Sequence, residues 1–111
     1  MEETKPIAIE QFKELDLRVA TVVAAEPVPG TDKLLKIEAD LGEEKSQLVA
    51  GIAEQYRSTE LLGRHIVVVS NLQPAVIRGT ESQGMLLAAV WGEDLSLVTV
   101  DKEAPNGARV L

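Results

Sequence analysis

Hydrophobic and polar residues alternate over short segments along this chain of 111 residues. Between positions 35 and 41 the odd-numbered residues are apolar and the even-numbered ones are charged. A period of two sends successive side chains to opposite faces, so this segment is predicted to be a strand with one face in solvent. Gly42 ends the strand, and Glu43-Glu44 predicts a tight turn into 45-KSQLVAG-51. The two segments together predict a β-hairpin.

Four further segments are predicted to be strands. The first, 17-LRVATVVAA-25, is β-branched and nearly continuous in apolar residues, which is typical of a strand buried on much of both faces. The other three follow the hairpin, and the last is the shortest; they are 65-HIVVVSNL-72, 84-GMLLAAVW-91 and 95-LSLVTV-100.

Helical signals are few. Residues 9–15 are compatible with one or two helical turns before the first strand. A second short helix is predicted within 52-IAEQYRSTELLG-63, with Ser58 or Thr59 as its N-cap and Gly63 as its C-cap.

Five main strands with a short helix between the third and the fourth predict an all-β fold. The architecture that fits is the OB-fold, a five-stranded Greek-key barrel, here one domain over residues 1–111 with short terminal extensions. A six-stranded sandwich is the alternative that the pattern leaves open. Apolar residues make up 45% of the chain but aromatic residues only 3%, so the predicted core is aliphatic.

The residues needed for catalysis or metal binding are not clustered in this sequence. It has no cysteine, a single histidine (His65), and no phosphate-binding or nucleophile motif. We therefore expect no enzyme activity, cofactor or metal in this chain. No apolar run approaches the roughly 20 residues of a membrane-spanning helix, and the acidic N-terminus is unlike a signal peptide. A cytoplasmic location is the expectation.

The net charge of −7 argues against strong nonspecific binding to nucleic acid. The charge is uneven, however, because both ends are acidic and the middle of the chain is close to neutral. In that middle part, the turn 26-EPVPGTDKLL-35 delivers Lys33 to the start of a strand. A long surface loop is predicted over residues 73–84, because Pro74 ends the fourth strand. Arg78 lies mid-loop, where an arginine has no evident role in a core.

Several segments together resemble a known family, the tRNA-binding OB domain. That domain occurs at the C-terminus of bacterial methionyl-tRNA synthetases, as a free-standing structure-specific tRNA-binding protein, and in the CsaA-type secretion chaperone. It is also the shared module of endothelial-monocyte-activating-polypeptide-like proteins. The resemblance covers about residues 9–110, and its ordered set of motifs is specific. The segments are 12-FKELDLRVATV-22, 32-DKLLKI-37, 49-VAGIAEQY-56, 71-NL-72, 78-RG-79 and 82-SQGMLLAA-89.

The resemblance implies an OB barrel, a homodimer joined partly through its terminal segments, and recognition of the tertiary shape of tRNA. It also implies that five residues contact tRNA. Lys33 and Arg78 would bind phosphate, and Met85 would offer an apolar surface for a base. Asn71 and Ser82 would donate or accept hydrogen bonds at a 2′-hydroxyl or a base edge, or else satisfy backbone groups of the loop.

The sequence departs from the family at two places. The segment after Asn71-Leu72 carries no charge over residues 73–76, where relatives often have lysine or arginine, and Val28-Pro29 stands where many have His-Pro. Fewer cations imply weaker phosphate binding. Three roles therefore stay open: a free-standing tRNA-binding protein, an appended domain that works with the catalytic part of methionyl-tRNA synthetase, and a dimeric protein-binding module like the chaperone.

Overall fold

A curled antiparallel sheet of five strands forms the body of the protein. The computed structural model describes residues 4–111, so residues 1–3 of the predicted domain lie outside the described part. The strands follow the order β3-β2-β1-β4-β7. Their bounds are β1 (Leu17–Pro27), β2 (Leu35–Asp40), β3 (Lys45–Ala50), β4 (His65–Val69) and β7 (Met85–Leu86). The prediction of an all-β, OB-like barrel is confirmed.

The long strand β1 joins the two halves of the barrel. Its first half pairs with β4, from Leu17 opposite Val69 onwards, and its second half pairs with β2. A bulge between Val22 and Ala24 lets the strand turn between these partners. Both faces are buried only as far as Val22, so the predicted two-sided burial holds for the first half of the strand.

The predicted hairpin between β2 and β3 is confirmed. Leu41 donates its backbone N–H to the carbonyl of Glu44 (2.8 Å), and Gly42 takes a positive φ of 99° that a side chain would disfavour. Inward-facing residues of this hairpin supply much of the core, with Ile37 and Leu48 fully buried. The core is aliphatic, as the composition predicts.

The long loop predicted over residues 73–84 is wrong, because this segment folds into a hairpin of its own. Strands β5 (Ala75–Ile77) and β6 (Thr80–Ser82) pair, with Ile77 opposite Thr80. Only Arg78 and Gly79 lie between them, and both have positive φ, 53° and 79°. Two such residues form the tight type I′ turn that suits the twist of paired strands.

The single strand predicted over residues 84–91 is also wrong. After β7, Leu87 still donates a hydrogen bond to Val67 of β4 (3.0 Å), but the chain then leaves the sheet. It continues as β8 (Ala88–Trp91), which pairs with β9 (Asp94–Leu97) in a separate hairpin. The predicted sixth strand thus pairs with the second half of the predicted fifth.

Two one-turn helices accompany the strands, α1 (Ile9–Phe12) and α2 (Ser58–Leu61). The N-cap predicted for the second helix, Ser58 or Thr59, is wrong. Arg57 occupies the cap position, and its backbone N–H donates to the carboxylate of Glu60 (2.8 Å). Leu61 is fully buried and belongs to the core cluster.

The C-terminal tail lies on its own barrel. Gly107 and Val110 donate backbone hydrogen bonds to Val19 (2.7 Å) and Leu17 (2.9 Å) of β1. A turn at Pro105-Asn106-Gly107 folds the chain back, but Leu111 stays 91% exposed. Among residues 4–111 there is no helix long and apolar enough to cross a membrane.

Candidate nucleic-acid interface

Lys33 lies in a loop that is held on both sides. Buried Val28 donates to the carbonyl of Leu34 (3.1 Å), and the backbone N–H of Lys33 donates to the hydroxyl of Thr31 (3.1 Å). The carbonyl of Lys33 accepts a hydrogen bond from Ala53 (3.1 Å), beyond the end of β3. The loop backbone is therefore fixed while the ammonium group faces solvent.

Met85 borders an apolar groove at the same end of β3. Its side chain is 49% exposed, and the groove has a volume of about 340 Å³. The other lining residues are Val49, Ala50, Gly51, Ile52, Leu86, Leu87, Ala88 and Leu95. Because Ile52 lines the groove and Ala53 bonds to Lys33, the structure brings Lys33 and Met85 to one end of the barrel.

Arg78 projects from the turn of the β5–β6 hairpin. The residue is exposed, and its φ of 53° is the one positive value found at a non-glycine residue among residues 4–111. Left-handed backbone costs an L-residue about 1 kcal/mol, and asparagine tolerates it better than arginine does. An arginine at this position makes the turn less stable, but it places a cation at the tip of the hairpin.

The charges on the outer face of the barrel differ from these two cations. Lys36 pairs with Glu26 (2.7 Å), and Lys45 approaches Glu38 (3.9 Å). Within the described part of the chain, neither Lys33 nor Arg78 forms an ion pair. Lys36 and Lys45 are thus engaged with neighbouring carboxylates. Lys33 and Arg78 are among the cations of residues 4–111 that have no acidic partner and remain available to an external anion.

Ser82 is buried, with 5% of its surface exposed. Its hydroxyl accepts a hydrogen bond from the backbone N–H of Val49 (3.0 Å) and donates one to the carbonyl of Gly84 (2.8 Å). The structure therefore places this predicted contact residue inside the protein, beside the groove that Met85 borders.

Asn71 is exposed, but both ends of its amide bond to backbone. The side-chain oxygen accepts from the N–H of Asp16 (2.8 Å), and the side-chain nitrogen donates to the carbonyl of Glu14 (2.7 Å). These bonds tie the end of β4 to the segment before β1. The sequence did not indicate this clamp, because its partners lie 55 and 57 positions away.

A polar cluster surrounds Asp16 next to that clamp. Arg18 donates to its carboxylate (2.7 Å), Ser70 donates to it (2.9 Å), and Arg109 lies 3.8 Å away. The hydrogen bond from Arg18 is the largest cause of a lowered pKa for Asp16. Partial burial opposes it, and the Ser70 hydrogen bond and the charges of Arg18 and Arg109 reinforce it. The cluster fastens the tail to the start of β1.

Over residues 4–111, no three His, Cys, Asp or Glu side chains are grouped in a way that would hold a metal ion. Three further residues stand out in the structure without a signal in the sequence. Gln47 and Gln83 link β3 to the base of the β5–β6 hairpin, and Val76 is 72% exposed on β5. The sequence signal for the β5–β6 hairpin is the dipeptide Arg78-Gly79 between two short segments.

Comparison with known proteins gives one consistent result. A family model described as "Putative tRNA binding domain" matches residues 17–109. Methionine–tRNA ligase of Thermotoga maritima is 56% identical over 108 residues, and that of Bacillus subtilis is 48% identical over 104. These stretches cover 97% and 94% of this chain but only 17% and 16% of the two enzymes. The chain thus spans about a sixth of the length of these curated relatives.

Solved structures agree with the fold. A MetRS-related protein from Pyrococcus horikoshii superposes with a TM-score of 0.92 at 37% identity, covering 97% of this chain and all of that one. The chaperone CsaA from Bacillus anthracis superposes with a TM-score of 0.89 at 33% identity, covering 96% of this chain and all of the chaperone.

Proposed function

Because the chain belongs to the family of tRNA-binding domains, we propose that it binds folded tRNA by shape rather than by sequence. The support is the position of two of its unpaired cations and of Met85. Lys33 and Met85 lie at one end of β3 on a fixed loop and a groove, and Arg78 stands at a projecting tip. As a binding domain, the chain is not itself the catalytic part of an enzyme.

The chemistry of these side chains suits sequence-tolerant recognition. Lysine and arginine at fixed positions bind phosphates, and phosphates carry no sequence information. The exposed thioether of Met85, next to an apolar groove, would accept the face of an unstacked base or ribose. Spacing between phosphates then decides which RNA fits, and that spacing is set by the fold of the RNA.

A second part of the proposal is a homodimer. Apolar side chains are exposed near the place where the C-terminal tail pairs with the start of β1. Leu15 is 40% exposed, and Leu72 follows the Asn71 clamp at 39%. Leu111 is 91% exposed and ends the tail, whose Arg109 pairs with Arg18 of β1. A second copy presenting the same patch would cover all of them, and symmetric dimers use one patch twice. Dimerisation would place two tRNA-binding surfaces on one assembly.

In the relatives that share this domain, it is part of a longer protein named methionine–tRNA ligase. We propose that this chain serves such a catalytic part by adding affinity for any tRNA, without choosing among tRNAs. A tethered weak binder raises the local concentration of its ligand, so affinity in the micromolar range suffices.

Protein binding is the alternative function, because the chaperone CsaA shares this fold at 33% identity. The observation that favours it is Val76, an aliphatic side chain 72% exposed on the edge strand β5. The two functions differ in what removes binding. Loss of cations should abolish tRNA binding, whereas protein binding should depend on the apolar residues.

The test compares charge removal at the proposed site with charge removal elsewhere. Lys33→Ala and Arg78→Ala should each weaken binding to all tRNAs about equally, and each should reduce the salt dependence by about one phosphate contact. Lys45→Ala is the matched control, since it removes the same charge at the other end of β3. Fluorescence anisotropy at two salt concentrations measures all three. Equal losses for Lys33→Ala and Lys45→Ala would contradict the proposed surface.

A further inference from the structure

Side chains fasten the β5–β6 hairpin, which carries Arg78, at both of its ends. We call the end near Asn71 the first foot and the end near Ser82 the second foot. At the second foot, the hydroxyl of Ser82 takes the place of a strand carbonyl, because it accepts the N–H of Val49 on the edge of β3. The same hydroxyl donates to Gly84, which holds the chain turned into β7. The hydroxyl is buried, its single hydrogen is used by Gly84 and one of its two lone pairs by Val49, so it has no donor left to offer an RNA.

Two glutamines reinforce this foot. Gln83 donates its backbone N–H to the carbonyl of Gln47 (2.7 Å) and accepts the N–H of Gln47 on its side-chain oxygen (2.8 Å). The side chain of Gln47 then donates to the carbonyl of Glu81 (2.7 Å). Side chains thus close the barrel here, between β3 and a segment that does not pair with it as a regular strand.

At the first foot, Asn71 performs the equivalent task. Its amide holds the backbone of Glu14 and Asp16. The backbone N–H of the neighbouring Ser70 donates to the carbonyl of Asp16 (2.9 Å), and the Ser70 hydroxyl shares its one hydrogen between that carbonyl and the Asp16 carboxylate (2.9 Å each). The segment between Asn71 and Ser82, which contains the hairpin, is therefore held at both of its ends by hydrogen bonds to the barrel.

We propose that Asn71 and Ser82 are positioning residues: they fix the hairpin and the start of β7, and so the placement of Arg78 and Met85, without touching RNA. This inference rests on the proposed tRNA binding. It separates the motif residues into two groups, with Lys33, Arg78 and Met85 in contact with the ligand and the two polar residues behind them.

Hydrogen exchange tests the hydrogen bonds of Ser82 to Val49 and Gly84, which we call the clasp. Ser82→Ala removes the acceptor of the Val49 N–H and should raise the exchange rate of that amide on the order of ten-fold, while amides in the β1–β4 ladder stay protected. Ser96→Ala is the matched control, because Ser96 is an exposed serine in β9 outside the clasp. An unchanged exchange rate at Val49 in the Ser82→Ala variant would contradict the claim that the Ser82 hydroxyl holds this amide.

A double-mutant cycle tests the positioning role. In the unsubstituted background, Ser82→Ala should lower tRNA affinity on the order of ten-fold. In an Arg78→Ala/Met85→Ala background it should cause little further loss, because the groups that it positions are gone. Asn71→Ala should behave in the same way. Anisotropy at low salt keeps the weakened variants measurable, and Ser96→Ala should bind like the unsubstituted protein.

The outcomes separate this inference from the function on which it rests. If the unsubstituted protein binds tRNA and Ser82→Ala costs the same factor in both backgrounds, Ser82 touches the RNA and the positioning role is wrong. If the unsubstituted protein does not bind folded tRNA, the proposed function fails and the positioning role fails with it. Non-additive losses together with faster exchange at Val49 are the expected result.

Discussion

At the scale of single residues, Arg78 shows a conflict between stability and binding. Asparagine is the residue that a type I′ turn favours at this position, and its side chain tolerates the left-handed backbone. We expect Arg78→Asn to raise the free energy of unfolding by about 1 kcal/mol and to weaken tRNA binding at the same time. Urea unfolding and anisotropy measure the two effects. A variant that loses stability, or one that keeps full affinity, would contradict this reading of the turn.

Asp16 predicts how the stability of the fold changes at acidic pH. Its pKa is lowered from 3.8 in the folded protein, chiefly by the hydrogen bond from Arg18. A lowered pKa means that the charged form stabilises the fold. That contribution is complete above the ordinary pKa and is lost as the pH falls through the lowered value. Asp16→Asn should therefore reduce stability at pH 7 and flatten its fall below about pH 4. Unfolding midpoints at pH 7 and pH 3 measure this, and equal acid sensitivity in both proteins would refute it.

The sequence is a better guide to the orientation of Lys33 and Arg78 than to that of Asn71 and Ser82. Lys33 and Arg78 are charged, and charged side chains face solvent in almost any fold. Whether Ser82 and Asn71 point outward or inward depends on their partners, Val49 and the backbone near Asp16, which lie far away in sequence. Local pattern carries no information about such contacts.

At the scale of elements, Gly84 decides how closely β7 approaches β4. A Cβ at this position would lie 2.7 Å from the carbonyl oxygen of Val69 and 3.3 Å from a methyl group of Leu48. Gly84→Ala should push the two strands apart and destabilise the protein by about 2 kcal/mol. Gly51→Ala is the control, since its nearest neighbour is 3.9 Å away. Urea unfolding distinguishes them, and equal stability of the two variants would show that the contact yields easily.

Strands with strict alternation or strong β-branching were predicted well, as the hairpin of β2 and β3 illustrates. The failures occurred where the chain changes partners. Residues 84–91 are apolar throughout, so nothing in their pattern marks the point near Leu87 where the strand leaves β4 for β9. The β5–β6 hairpin was missed because arginine is uncommon in its turn, and the glycine that follows was read as part of a loop.

At the scale of the whole molecule, the exposed apolar patch formed by Leu15, Leu72 and Leu111 predicts self-association. Leu15→Lys should convert a dimer into a monomer without unfolding it, because the side chain lies on the surface. Val23→Lys is the matched control: Val23 is 41% exposed, close to the 40% of Leu15, but lies in the bulge of β1. Sedimentation velocity at micromolar concentration gives the masses. A monomeric unsubstituted protein would refute the dimer.

The net charge of −7 disfavours tRNA binding, since electrostatic attraction at a distance cannot supply the affinity. Binding must come from a few cations whose spacing matches phosphates of a folded RNA. The most direct test is the affinity for a folded tRNA compared with an unstructured RNA of the same length, both at two salt concentrations. We expect micromolar binding that is at least about ten-fold tighter for the folded tRNA, with a modest salt dependence. Equal affinity for the two RNAs would contradict recognition by shape.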